Sequence, residues 1–181
     1  HSCWRESFIE PEKSCIHYLK DVLRMTEGSS LLVFDGKGRE IAGSVLYKDQ
    51  PEQMIISIDR EITGSGFETD IKFVLLQAIP KGSRMDWIVE KAVELGVTAI
   101  VPVVTERVIV RLDHKNCGNK TKRWRRIAEA ASRQCGRTTV THVHDVVSFD
   151  EALQHAKNLD LFAIAALTPG ARPVYEVMQR E

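Results

Sequence analysis

The chain has 181 residues, 43% of them hydrophobic and 28% charged, a globular balance that excludes a disordered tail or a collagen-like repeat. Twenty-five Lys and Arg offset 25 Asp and Glu, which excludes a uniformly basic surface, and no apolar run approaches the roughly 20 residues of a membrane span. The start, HSCWRESF, has no basic region followed by an apolar core, so no secretory leader is expected in it. Cys3, Cys15, Cys117 and Cys135 form no CxxC pair. They are expected to be reduced thiols in a cytoplasmic protein, with no metal site.

The first 67 residues predict a β-rich domain with one early helix. SCIHYLKDVLR (14–24) places Ile16, Leu19, Val22 and Leu23 at helical spacing, and Gly28 is the expected stop. LLVFD (31–35) and EIAGSVLY (40–47) predict two strands joined by a hairpin turn through Asp35-Gly36 and Gly38. QMIISIDREI (53–62) predicts a third, and strands this short and close suggest a small barrel. Thr63-Gly64-Ser65-Gly66 marks the expected domain boundary.

Residues 68–181 follow a different pattern. IKFVLLQAI (71–79) is a continuous apolar run, as for a strand buried on both faces. A helix over 84–95 presents Met85, Ile88, Val89, Ala92 and Leu95 on one face and stops at Gly96. VTAIVPVV (97–104) is a second strand. A helix over 122–135 follows, with Trp124, Ile127, Ala128, Ala131 and Cys135 as its core stripe. VTHVH (140–144) is a short strand, Ser148-Phe149-Asp150-Glu151 a capping box, LDLFAIAAL (159–167) a fourth buried strand, and a last helix begins near Ala171. Alternating β and α units of this kind make a parallel sheet with helices on both faces. The sequence contains neither GxGxxG nor a P-loop.

The charge is unevenly placed. From 107 to 137 there are ten Lys or Arg against two acids. At 100° per residue, Arg123, Arg126, Arg133 and Arg137 fall on one arc away from the core stripe, bordered by Gln134, with Arg107, Arg111, Lys115, Lys120 and Lys122 feeding the same region. Guanidinium groups suit bidentate phosphate contacts, so this arc predicts a nucleic-acid backbone site over the alternative of a solvated face. Arg24 and the hairpin-tip residues Lys37 and Arg39 are further candidate contacts. His142 and His144 share a strand face, where ordinary packing is favoured over a metal pair. Cys135 sits on the apolar stripe, which favours packing over reactivity.

Taken together, KGSRMDWIVEKAVELGV (81–97), PVVTER (102–107) and KRWRRIAEAASRQCGR (122–137), with HYLKDVLR (17–24) and DGKGRE (35–40), resemble the RsmE family. These are bacterial methyltransferases acting on N3 of a uridine in 16S ribosomal RNA. The resemblance implies an α/β chain with a PUA-like β-barrel at 1–67, followed by a SPOUT-type parallel domain at 68–181. It also implies S-adenosylmethionine as methyl donor and a homodimer. In the family, a G-P-E-G-G-like loop and a later L-G-x-R-I-L-R-x-E-T-A segment form a trefoil knot and most of the cofactor site. The sequence contains neither, so the knot is expected to be incomplete. The first cofactor loop is represented by Leu167-Thr168-Pro169-Gly170, which makes Leu167, Thr168 and Gly170 the candidate cofactor contacts. Arg137 or Arg107 would stabilise the uridine anion and Gln134 would orient the uracil edge. Lys122, Arg123, Arg126 and Arg133, with Arg24, Lys37 and Arg39, would hold RNA. The alternatives are a non-catalytic RNA-binding or assembly module and a SPOUT methyltransferase acting on another RNA.

Overall fold

A computed structural model describes residues 7–48, 53–62, 71–106, 114–157 and 159–178. The expected boundary at 63–66 lies outside the described residues, as do Cys3, Arg107 and Arg111. The leading part is an antiparallel sheet of β1 (Phe8–Ile9), β2 (Ser30–Phe34), β3 (Glu40–Tyr47) and β4 (Met54–Ile62), in the order β1-β4-β3-β2. Alternation along β3 and β4 turns Val45, Met54 and Ile56 inward, onto Leu19 from the helical segment. That segment is a short helix, α1 (Lys13–His17), running into one wide π-helical turn, Tyr18–Val22.

The helix ends earlier than Gly28. Arg24 takes the left-handed conformation at φ 52°, and the Met25 amide donates to Leu19 O, so chain reversal occurs before any glycine is reached. The hairpin between β2 and β3 forms as expected. Asp35 accepts from the amides of Lys37 at 2.7 Å and Arg39 at 3.1 Å, an Asx-type turn.

The second part is a parallel sheet. β5 (Val74–Ala78), β6 (Ala99–Val104) and β7 (His142–Val143) lie in that order, and β8 (Val147–Ser148) extends β6's pairing beyond β7. Helices α2 (Arg84–Glu94) and α3 (His114–Cys135) cover one face. There Met85, Val89, Val93, Trp124, Ala128 and Ala131 meet Ile100 and Val143. Helix α4 (Phe149–Ala156) covers the other, with Ala152 against Val101 and Val103. The continuous apolar strand pattern follows from this two-sided cover. α4 opens on the expected capping box, in which Ser148 and Glu151 exchange side-chain-to-amide bonds. A last helix, α5 (Val174–Met178), completes the described elements.

Three expectations are corrected. α3 begins eight residues before Lys122: Thr121, 1% exposed, donates to Cys117 O at 3.1 Å and carries the buried stripe one turn further back on small and polar residues that hydrophobic periodicity does not mark. Leu95 is 84% exposed, while Val93 is buried in its place. The helix closes through Gly96 at φ +88°, with Val97 N donating to Ala92 O and Gly96 N to Val93 O, and Leu95 turns away at that closure. Finally, 159–167 forms no strand. It carries no regular secondary structure, and Leu161, Phe162, Ile164 and Leu167 are exposed. An apolar run becomes a buried strand only where a sheet edge and cover on both faces receive it; among the described residues this run pairs with neither the outer edge of β5 nor β7 and β8, and its side chains are left uncovered.

The register between β3 and β4 shifts at Ala42/Gly43. A Cβ on Gly43 would lie 2.3 Å from Ser57 O and 2.9 Å from Ile56 Cγ2. Gly43→Ala is therefore expected to destabilise the fold by about 1–3 kcal/mol, the range for overpacking, as an earlier midpoint in urea unfolding.

Candidate nucleic-acid interface and cofactor loop

Helix α3 carries both a core stripe and a basic face. Trp124, Ala128 and Ala131 are buried, and Ile127 and Cys135 pack partly against the same cluster. Lys122, Arg123, Arg126, Arg133 and Gln134 are exposed. Acids are closer to this face than the sequence count suggested. Arg123 Nη2 meets Asp86 at 2.7 Å, and Arg133 Nη1 meets Glu129 at 2.7 Å. Arg125 donates to Val143 O at 2.8 Å and pairs with Asp145 at 3.0 Å. Among the described residues, Lys122 and Arg126 make no ion pair. Exposed pairs such as Arg123–Asp86 and Arg133–Glu129 are worth about 1 kcal/mol or less, so a phosphate can displace the carboxylates.

Arg137 does not continue this arc. Gly136, at φ +74°, breaks the helix, and the Arg137 amide turns back to Ser132 O. The side chain points inward and is 5% exposed. Its Nη1 donates to Val97 O at 2.8 Å, Thr141 Oγ1 at 2.9 Å and Val93 O at 3.2 Å, and its Nη2 to Thr139 Oγ1 at 3.3 Å. Helical phase projected beyond Cys135 is what misplaced it. The guanidinium faces the carbonyl end of α2, where the helix dipole favours a positive charge, and is not presented to a ligand. Gln134, one residue before the break, stays exposed.

In the leading sheet, Arg24 and Lys37 are exposed. Arg39 is bound to Glu61 through both Nε and Nη2 at 3.1 Å. The hairpin tip is not free, because its backbone bridges to Thr139. On α2, Lys91 lies between Glu90 and Glu94 at 3.0 and 2.9 Å. Hydrogen bonds to Glu94 and then Glu90 hold its pKa above the ordinary lysine value.

The loop of Leu167, Thr168, Pro169 and Gly170 is a turn closed by Ala171 N donating to Thr168 O at 3.0 Å. Leu167 is fully exposed, and a Cβ on Gly170 would meet nothing within 4 Å. These residues offer backbone groups on one side of a ligand but no enclosure, so by themselves they do not fit a whole nucleoside cofactor.

A cluster that spacing did not single out lies beside α3. The rings of His142 and His144 meet edge to face at 4.4 Å, and His155 of α4 lies 5.8 Å from His144. The His142/His144 alternation was visible in the sequence. His155 joins them only because α4 packs back against β6 and β8. Burial, and then the charges of His142, His155 and Arg125, push the His144 pKa below its ordinary 6.5, against Asp145, which raises it.

Comparison with known proteins places these features in context. Residues 68–178 match a family model described as an RNA methyltransferase domain, and residues 15–50 match one described as an RNA methyltransferase PUA domain. The chain is 33% identical over 152 residues to ribosomal RNA small subunit methyltransferase E of Bacillus subtilis, covering 83% of this chain and 58% of that protein. It resembles the crystal structure of ribosomal RNA small subunit methyltransferase E from Neisseria gonorrhoeae bound to S-adenosyl methionine, at 34% identity and TM-score 0.72, covering 81% of this chain and 59% of that one. A putative methyltransferase structure from Legionella pneumophila, in complex with S-adenosylmethionine, matches at 31% identity and TM-score 0.73, covering 83% and 61%. The chain thus spans about three-fifths of the length of these proteins.

Two outcomes follow. Arg137→Ala, which leaves buried acceptors without their donor, is expected to lower folding stability by about 3 kcal/mol in chemical denaturation. The unfolded chain binds a proton at His144 more readily than the folded one, so the contribution of His144 is complete above pH 6.5 and is lost as pH falls toward its lowered folded value. His144→Asn should flatten the loss of thermal stability below pH 6.5; an unaltered slope would show that another group governs it.

Proposed function

Because the chain belongs to the RsmE family of RNA methyltransferases, we propose that it is an S-adenosylmethionine-dependent methyltransferase acting on N3 of a uridine in 16S ribosomal RNA, with α3 as the surface that grips the RNA. The observation that carries this reading is the coincidence of two things on the same residues. The RNA methyltransferase match covers 68–178, and within it α3 displays exposed Lys122, Arg123, Arg126 and Arg133 on the face opposite its core stripe. Relatives with S-adenosylmethionine bound support the cofactor, and the turn at Leu167, Thr168 and Gly170 is the proposed contact on this chain. That turn supplies one wall of the site.

In this reading the exposed cations of α3 hold phosphates, and Gln134, at the end of the same face, orients the uracil edge by its amide. A target base inside structured RNA must be drawn out of its stack before its N3 is reachable, which calls for a firm grip on the flanking backbone. Arg24 and Lys37 extend the RNA surface onto the leading sheet, with Arg39 available when Glu61 yields it. Arg107 stays a candidate for stabilising the base anion. Arg137 contributes through what it holds in place. A homodimer and a cytoplasmic location accompany this function. No described helix is long and apolar enough to cross a membrane.

The decisive experiment measures transfer of a labelled methyl group from S-adenosylmethionine to unmodified 16S ribosomal RNA. Labelled N3-methyluridine supports the reading. Tight RNA binding without cofactor binding would favour the non-catalytic RNA-binding module instead. For RNA binding alone, Lys122→Gln and Arg126→Gln are each expected to weaken affinity. Each should also flatten the log–log salt dependence by about 0.7–0.9 for every phosphate no longer neutralised. Filter binding between about 50 and 200 mM salt reads both effects.

A further inference from the structure

The hairpin tip of the leading sheet is joined to the parallel-sheet part by backbone pairing. Val140 N donates to Gly36 O at 3.1 Å, and Gly38 N donates to Thr138 O at 3.2 Å. Thr139 forms bridges with both Gly36 and Lys37. Glycine is required at this tip for two reasons. Gly36 and Gly38 have φ of +74° and +101°, and a Cβ on Gly36 would lie 3.1 Å from Val140 Cγ2. The tip therefore meets its seat backbone to backbone.

The seat is built by Arg137. Its Nη2 donates to Thr139 Oγ1 and its Nη1 to Thr141 Oγ1, while Thr141 itself donates to Val97 O at 2.6 Å. The guanidinium thus fastens alternate residues of 137–141 to the carbonyl end of α2. Thr138 and Thr141 are each 2% exposed. One planar fork spanning several acceptors fixes a segment more firmly than an ammonium point charge can.

We propose that the hairpin tip is a latch between the two parts of the molecule, and that Arg137 is the positioning residue that holds its seat, so that both parts grip one RNA in a fixed relative orientation. The RNA half of this inference rests on the function proposed above. Two RNA-contacting surfaces joined rigidly act on a single strand at high effective concentration, and that advantage falls away when they reorient freely.

The test uses Gly36→Asn in the full chain. Asparagine tolerates positive φ better than other side chains, so the Cβ contact with Val140 is the main perturbation. Amide hydrogen exchange at Gly38 and Val140 should accelerate at least about tenfold, and affinity for 16S ribosomal RNA should fall about tenfold, while the thermal midpoint stays close to wild type. Adding Val140→Ala, which removes the opposing methyl, should recover much of both. Arg137→Lys should also accelerate exchange at Val140. Unchanged exchange in Gly36→Asn overturns the latch, and unchanged Val140 exchange in Arg137→Lys overturns the role of Arg137. Accelerated exchange with undiminished RNA affinity overturns the RNA role alone. A wild-type chain that binds no RNA overturns the proposed function, and the exchange data still decide whether the latch exists.

Discussion

One guanidinium organises the junction of the molecule. Arg137 is buried where α2 ends and the segment leading into β7 begins, and it donates to oxygens from both. The carbonyls at a helix end have no partners within the helix. Here a side chain arriving from the end of α3 meets the carbonyls of Val93 and Val97 at that end. The residue can do so only because Gly136 adopts positive φ and reverses the chain. Closure of α2 at Gly96, closure of α3 at Gly136 and the seat at 138–140 are therefore coupled. Each helix closes on its own backbone bonds, and Arg137 and Thr141 tie the closures together by donating to Val93 O and Val97 O.

The same coupling explains how α3 serves two purposes. Its apolar stripe, through Trp124, Ala128 and Ala131, fixes the helix against α2 and the sheet. With that face immobilised, the opposite face displays cations in a set geometry. Asp86 and Glu129 hold two of the arginines at rest. These exposed ion pairs are weak and salt-screened, so in the proposed function they would orient the side chains and yield to a phosphate. Arg125 leaves that face for Val143 O and Asp145, beside the histidine cluster.

The stretch from 161 to 176 is exposed throughout. Its apolar residues have the composition of a buried strand, and its turn at 168–171 is closed by a single backbone hydrogen bond, from Ala171 N to Thr168 O. A nucleoside-sized ligand needs walls on several sides, and the described residues supply one. The solved relatives that hold S-adenosylmethionine are longer chains, of which this one covers about three-fifths.

Local grammar was legible in the residues alone. Binary periodicity, the Asp35-Gly36 turn, the Ser148/Glu151 cap and the glycine stops located β3, β4, β6, α2 and α4 nearly to the residue, because each depends on neighbours within a few positions. The basic face of α3 was legible for the same reason, and the family motifs pointed to RNA methylation. Packing settled whatever depends on distant partners. Periodicity could not show that Arg137 turns inward, since a helix projected past Gly136 has no signal for reversal. It could not show that the hairpin tip seats on Thr139, that His155 joins His142 and His144, or that Asp86 reaches Arg123, because those contacts link elements apart in the chain. The 159–167 run marks the limit most clearly. Hydrophobicity states that a segment needs cover, and only the surrounding fold determines whether cover is present.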